Sequence, residues 1–428
     1  MTFPFLSAAP LGGPWKQRVI SGVADWSHRD GATLCVLNSK RLLLIGGWNP
    51  GQWGDAMVPA EACTNEVWKS DDGGRTWQLL LSHIFDPDGA RFRPVHTPAA
   101  VACDGYFYLI GGDFQLPHSE VWRTSLDGTG ETWELRTENI HDDWEDRSLA
   151  IAGSLGGALY AMGGMLNVYT PASAQNDVYK STDGGATWEK MNALVPWSPR
   201  AAVYGMPVID GQLYLVGGGI YDNSYYDGVF AFDGAVWETI CEDSEGFGSV
   251  IAGGRYYHNV LRTPDRRVWV FGGTWANAGS SATIAYSDDD CLTWGLFGSL
   301  EWGGGNGSHA DAMTVFDGRI LRASGNSFER AVYTVAREAA PEKPTISSGL
   351  PTSGPADTVV TVSGAGFLRG VHAVYLMAGG KVEPAPFVVL SDTSLEVTMM
   401  AFGAVKCYVV VLGPGGQSEY QGVDFTYT

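Results

Sequence analysis

Residues 106–112 read YFYLIGG, an aromatic and aliphatic run closed by two glycines, and Asp104-Gly105 stands directly before it. An Asp-Gly pair ahead of such a run predicts a tight hairpin feeding a buried strand. The same ending recurs as LLLIGG at Gly47, YAMGG at Gly164, YLVGG at Gly218 and VWVFGG at Gly273, and successive positions differ by 65, 52, 54 and 55. Each run has a tryptophan downstream, at Trp77, Trp133, Trp188, Trp237 and Trp294. A strand that returns with a period of about fifty residues marks a structural unit stacked on copies of itself. Function is then to be sought where the copies differ.

Working outward from YFYLIGG, the unit divides into four short strands: HTPAAVACDG, YFYLIGG, SEVWRTS and TWELRT. Asp210-Gly211 and Asp317-Gly318 repeat the hairpin signal. Four antiparallel strands repeated radially is the plan of a β-propeller. HADAMTVFDG, RILRASG and RAVYTVA supply three strands of a sixth unit near residues 309 to 336, and PWKQRVI, with Trp15, supplies the fourth from the opposite end of the chain. Sharing a sheet between the two ends removes free edges. The expected fold class is all-β: a six-bladed propeller over residues 1–337 closed by the N-terminal strand, a linker at 338–344, and a separate β-sandwich at 345–428.

Composition agrees with a turn-rich β protein: 428 residues with 57 glycines, 21 prolines and 12% aromatics, and no collagen-like period. A net charge of -20 opposes binding to nucleic acid or anionic lipid, which calls for a basic stripe. Six cysteines lack the close pairing of a zinc or redox motif. Cys35 and Cys103 fall at equivalent places in two repeats, which suits small buried thiols. The start MTFPFLSAAPLGGPW has neither the basic head nor the apolar stretch of a signal peptide, and no segment reaches the roughly 20 apolar residues of a membrane span.

Three resemblances rest on these residues. The double glycine with its later tryptophan resembles the kelch repeat. SDDGGRTW (70–77), SLDGTGETW (125–133), STDGGATW (181–188) and SDDDCLTW (287–294) resemble Asp-boxes, which implies stabilising turns built on Asp72, Asp127, Asp183 and Asp289. The last copy carries Cys291 where glycine is expected, and the fourth unit keeps only FDGAVW. SGPADTVVTVSGAGF with the closing VDFTYT resembles an IPT/TIG domain, an immunoglobulin-like sandwich that in its family serves mostly as a spacer or interaction module.

In a propeller the loops after strands two and four share one face around the channel, and those loops are long here. Trp48, Trp53, Tyr169, Tyr221, Tyr225, Tyr226, Trp275 and Trp302 are expected there, beside Asp55, Asp222, Asn223 and Asn277. Rings with neighbouring amides and carboxylates suit the apolar face and hydroxyl rim of a sugar, and equally a protein surface. Arg29, Arg93, Arg147, Arg200 and Arg255 precede the first glycine of their pairs by 17, 18, 16, 17 and 17 positions, with His309 as the counterpart in the sixth unit. A ring of guanidiniums at the channel mouth would hold a carboxylate in fork geometry; the competing expectation is that each braces backbone carbonyls or a loop acid.

Three functions follow. Six blades, Asp-boxes and clustered arginines resemble a sialidase-like hydrolase, although Phe92-Arg93-Pro94 lacks one residue of the matching motif. Kelch blades joined to an immunoglobulin-like tail resemble a galactose-oxidase-like copper enzyme, with His28, His96, His258 and His309 near first strands. The favoured expectation is a non-catalytic recognition module without cofactor or metal. It would bind a glycan or protein surface, with the C-terminal domain contacting other virion or surface proteins. A virion, such as a phage tail, or an extracellular location is expected.

Overall fold

The computed structural model describes residues 15–428 apart from 22–24, 39, 50–61, 86, 113–116, 168–169, 192–193, 222–223, 244, 252, 275–278, 303–306, 327–329, 338–343, 368–370, 372, 379–380, 403–405, 414–415 and 419–423. Gln17–Ala336 forms one compact unit and Arg337–Thr428 lies in another.

The larger unit carries six small sheets. After β1 (Trp15–Ser21) come β2 (Thr33–Leu37), β3 (Arg41–Ile45), β4 (Val67–Ser70) and β5 (Gln78–Leu81), an antiparallel sheet in chain order. The second sheet is β6 (Ala99–Cys103), β7 (Tyr106–Gly112), β8 (His118–Ser125) and β9 (Glu134–Thr137). The third is β10 (Ile151–Leu155), β11 (Ala158–Met162), β12 (Val178–Ser181) and β13 (Glu189–Lys190). Then β14 (Val203–Tyr204) precedes the fourth sheet, β15 (Val208–Ile209), β16 (Gln212–Ile220), β17 (Ser224–Phe232) and β18 (Trp237–Cys241). The fifth is β19 (His258–Arg262), β20 (Val268–Phe271), β21 (Thr283–Ser287) and β22 (Gly295–Ser299). In the sixth, β23 (Ala312–Phe316), β24 (Arg319–Ser324) and β25 (Val332–Arg337) are completed by β1, which pairs with β25. These sheets fit the propeller expected from the repeats.

One strand departs from the repeat. The first strand of the fourth unit is split, and β14 pairs in parallel with β19 of the next sheet. Gly205, at φ 105, and Pro207, which has no N–H to donate, separate the two halves.

Local chemistry accounts for the hairpins. Asp104 and Gly105, Asp210 and Gly211, and Asp317 and Gly318 all have positive φ, the backbone of a two-residue hairpin turn that follows the strand twist. The repeated tryptophans fill the spaces between neighbouring sheets. Trp77 packs with Leu321 and Val332 of the sixth sheet, Trp133 with Leu43 and Val67 of the first, Trp188 with Tyr108 and Val121 of the second, and Trp237 with Tyr160 of the third. Burying each large aromatic contributes roughly 2–3 kcal/mol. The residual space among the innermost strands is a cavity of about 340 Å³ lined by Leu34, Ala100, Ala152, Val203, Leu261 and Met313, one residue from each repeat.

The smaller unit is a sandwich of two sheets. One has the order β26 (Thr345–Leu350), β28 (Thr358–Ala365), β32 (Ser394–Met399), β31 (Phe387–Ser391). The other runs β27 (Ser353–Gly354), β35 (Asp424–Tyr427), β33 (Lys406–Gly413), β29 (Ala373–Ala378), β30 (Lys381–Pro384), with β34 (Gly416–Gln417) beside β33. Alternation along β32 turns Leu395, Val397 and Met399 into a core shared with Val374, Leu376, Cys407 and Phe425. All six cysteines are free thiols.

Candidate functional site

All ten residues of the five glycine pairs have positive φ. The second glycine of a pair donates its N–H to the following repeat: Gly47 to the carbonyl of Val95 (2.8 Å), Gly164 to Arg200 (3.0 Å), Gly218 to Arg255 (3.1 Å) and Gly273 to Ser308 (2.9 Å). A side chain on the first glycine would collide with the same neighbour, since a Cβ on Gly163 or Gly272 would lie 2.4 Å from the carbonyl oxygen of Arg200 or Ser308. The pairs therefore clasp one repeat to the next.

This geometry corrects the arginine series. The structural equivalents of Arg29, Arg147, Arg200 and Arg255 are Val95 in the second repeat and Ser308 in the sixth, not Arg93 and His309. The guanidiniums of Arg29, Arg147 and Arg200 are buried and donate to the first-glycine carbonyls of their own repeats, Gly46 (3.1 Å), Gly163 (3.1 Å) and Gly217 (2.9 Å). That bond explains the near-constant spacing. Their remaining donors meet acids: Arg29 with Glu66 (2.6 Å), Arg147 with Asp177 (2.6 Å), Arg200 with Asp243 (3.0 Å). Arg255 donates to the carbonyls of Gly253 and Gly254, and burial pulls its pKa down to about 10 despite the opposing charge of Asp227. Arg93 is half exposed and pairs with Glu120. In the sixth repeat Arg322, from β24, meets Asp311 at 2.9 Å, with both side chains 1% exposed. These cations brace the scaffold and do not open as a fork for a carboxylate.

Two residues beyond each equivalent position the chain turns left-handed, at Gly31, Thr97, Leu149, Ala202, Tyr257 and Ala310, with φ between 50 and 62°. Consecutive members are joined by backbone bonds: Thr97 N–H to Gly31, Gly31 to Ala310, Ala310 to Tyr257, Tyr257 to Ala202 and Ala202 to Leu149, at 2.7–3.0 Å. The residue between brace and turn differs from repeat to repeat: Asp30, His96, Ser148, Ala201, Tyr256, His309.

Four of those six line a cavity of about 360 Å³ together with Trp48, Tyr221, Tyr225, Tyr257, Thr274 and Asn326. Asp30 is buried, and its two oxygens meet Nε2 of His96 (3.3 Å) and Nδ2 of Asn326 (3.0 Å). Burial raises the Asp30 pKa, but the His96 and Asn326 contacts and the nearby His309 outweigh it, and the carboxyl is held below its ordinary value. Burial lowers the His309 pKa, against the pull of Asp30 and Asp311, and its Nδ1 meets the Ser280 hydroxyl at 2.8 Å. Tyr256 is the hub of the aromatic wall, with ring centroids 5.4 Å from Tyr225, 6.1 Å from Tyr221 and 4.6 Å from Tyr257. Trp48 lies 6.1 Å from the His96 ring.

Of the residues expected from sequence, Trp48, Tyr221, Tyr225 and His309 thus meet at one site. Trp302 does not: it is buried against Phe271 and Tyr333, where it fills the core between the fifth and sixth sheets. Tyr226 lies outside the lining and carries the Arg200 guanidinium over its ring at 4.4 Å. Trp53, Tyr169, Trp275, Asp55, Asp222, Asn223 and Asn277 fall outside the described residues. Asp30, Tyr256, Tyr257 and Asn326 were not expected, and His96 was named only among the histidines of the copper-enzyme resemblance. The signal for Asp30, His96 and Tyr256 was their place one residue after the brace, which for His96 is legible only once the second repeat is aligned on Val95. Among the described residues no group of three or more His, Cys, Asp or Glu side chains is arranged to hold a metal.

Residues 344–427 match the family model of the IPT/TIG domain. The C-terminal sandwich is an IPT/TIG domain. No curated protein matches the chain. Within the IPT/TIG domain, β31 ends its sheet and leaves Val388 and Leu390 more than half exposed.

The Ser-x-Asp turns lie between the third and fourth strands of their sheets and do not line the cavity. Asp72 accepts the N–H groups of Arg75 and Thr76 and the Thr76 hydroxyl, while the Trp77 indole donates to the Gly74 carbonyl. Asp183 repeats the arrangement with Ala186, Thr187 and Trp188, whereas Asp289 keeps, of these bonds, only those from the N–H and hydroxyl of Thr293. In the third of these turns Cys291 takes the glycine place at φ 72. In the expanded copy around Asp127 the turn closes through Gly128 N–H to the Ser125 carbonyl, and the Trp133 indole still donates to Gly130.

Proposed function

We propose that residues 15–337 are a closed six-bladed kelch-type β-propeller whose Ser-x-Asp turns are Asp-boxes, and that this unit is a non-catalytic recognition module for a glycan. The observation that carries the reading is the aromatic cavity of about 360 Å³, walled by Trp48, Tyr221, Tyr225 and Tyr256 and edged by Asp30, His96 and Asn326. Stacking rings take the C–H face of a pyranose, and fixed acceptors and donors take its hydroxyls. A volume in the lower part of the roughly 300–1,000 Å³ range of small-molecule sites suits one or two sugar rings.

The sialidase-like alternative loses its main support, because the guanidiniums it needs for a carboxylate are committed to Gly46, Gly163 and Gly217. The IPT/TIG domain is the attachment element in this reading, with Val388 and Leu390 on its β31 edge as the contact, and the assembly belongs to a virion or another external surface. A glycan array with the full chain, paired with an assay for released reducing ends, tests the function. Binding without product supports recognition; product release replaces it with hydrolysis.

A further inference from the structure

We infer that the cavity selects a neutral hydroxylated ring and rejects acidic sugars, with Asp30 as the fixed acceptor for a ligand hydroxyl. The inference rests on the recognition reading above and narrows it to a ligand class.

The charge inventory carries the argument. Asp30, His96 and His309 are the non-phenolic ionisable side chains in the lining. Among the described residues no lysine or arginine lines the cavity. The guanidiniums nearest in sequence are turned to other partners: Arg29 to Gly46 and Glu66, Arg255 to Gly253 and Gly254. An incoming carboxylate or sulfate would meet the Asp30 carboxylate, and the neighbouring His96 is already engaged with that carboxylate at 3.3 Å rather than turned to a second anion. His309 adds little positive charge near neutrality, since burial favours its neutral form.

The same groups favour a hydroxyl. A carboxylate has about four lone-pair sites. His96 and Asn326 approach Asp30 on one oxygen each and hold it in place, which leaves acceptor capacity in a group already desolvated. Seating that acceptor beside the rings of Tyr225, Tyr256 and Trp48 reproduces the two-sided chemistry of a sugar ring.

The test uses the full chain and matched pairs that differ only in charge: methyl glucoside against methyl glucuronide, and methyl galactoside against methyl galacturonide. A glycan array with neutral and sialylated members covers larger ligands, and calorimetry on wild type, Asp30→Asn and Tyr225→Ala gives affinities. The expected result is that a neutral member binds and its uronide binds at least about tenfold more weakly. Asp30→Asn should weaken the neutral ligand about tenfold and narrow the gap to its uronide, as loss of a charged acceptor requires. Tight binding of uronides or sialylated glycans that Tyr225→Ala abolishes would overturn the charge selection and leave the recognition site standing. No binding to any glycan would overturn the recognition reading itself. Neutral binding indifferent to both substitutions would locate the site elsewhere and overturn the inference. Should Asp30→Asn fail to fold, the wild-type comparison of each neutral sugar with its uronide decides alone.

Discussion

The N–H of Gly31 donates to the carbonyl oxygen of Ala310 at 3.0 Å, tying the first repeat to the sixth. Both residues are left-handed, and a Cβ on Gly31 would lie 2.2 Å from Cδ2 of His96. Gly31→Val should therefore strain the backbone and displace His96 from Asp30. The expected loss is about 3 kcal/mol of stability, measured by chemical denaturation, with weakened binding at the cavity. A variant as stable as the parent would show that this junction carries no strain.

Arg147 and Arg93 share a place in the sequence pattern but not in the structure. Arg147→Met takes the donor from the buried Gly163 carbonyl and leaves the partly buried Asp177 with only the longer Lys190 contact, and should cost about 2–3 kcal/mol. Arg93→Met removes a half-exposed pair with Glu120 and should cost less than about 1 kcal/mol. Equal midpoints in urea for the two variants would contradict the bracing role.

Asp183 is held at about 2: burial works against ionisation, but the Thr187 hydroxyl and N–H, the Ser181 hydroxyl and the Ala186 N–H outweigh it. Because the folded value lies below the unfolded one, this turn's contribution is full above about pH 4 and is lost as pH falls towards 2. Asp183→Asn should lower stability by about 1–2 kcal/mol at neutral pH. The deficit should shrink in acid, which thermal melts at pH 7 and pH 3 would reveal.

His258 is buried with Nε2 donating to the Val216 carbonyl at 2.9 Å. Burial lowers its pKa to about 4, more than the Val216 bond raises it. The folded chain thus resists protonation that the unfolded chain accepts below about pH 6.5, so stability is full above that value and declines between it and pH 4. The decline amounts to about 3 kcal/mol for this one group. His258→Gln keeps a donor for Val216 and should flatten the fall in denaturation midpoint across that window; an unchanged slope would assign it to other groups.

The repeat, the four-strand unit, the Asp-Gly hairpins, the pairing of the N-terminal strand and the C-terminal IPT/TIG domain were all legible in the sequence, because each depends on short-range chemistry. Positive φ at a strand end calls for glycine, a tight hairpin calls for Asp-Gly, and alternation writes the sandwich faces into β32. Candidate ligand groups were harder to read. Arg29 and Arg147 carry the same charge whether they face a ligand or brace a carbonyl, and only the positions of Gly46 and Gly163 decide which. Trp302 and Trp48 are equally aromatic, yet packing sends one into the core and the other to the cavity. Asp30, His96, Tyr256 and His309 come from four repeats up to 279 positions apart, as 309 − 30 gives. Their shared place one residue after the brace does not say that they meet: that is a product of the left-handed turns that carry one side chain per repeat around a common centre.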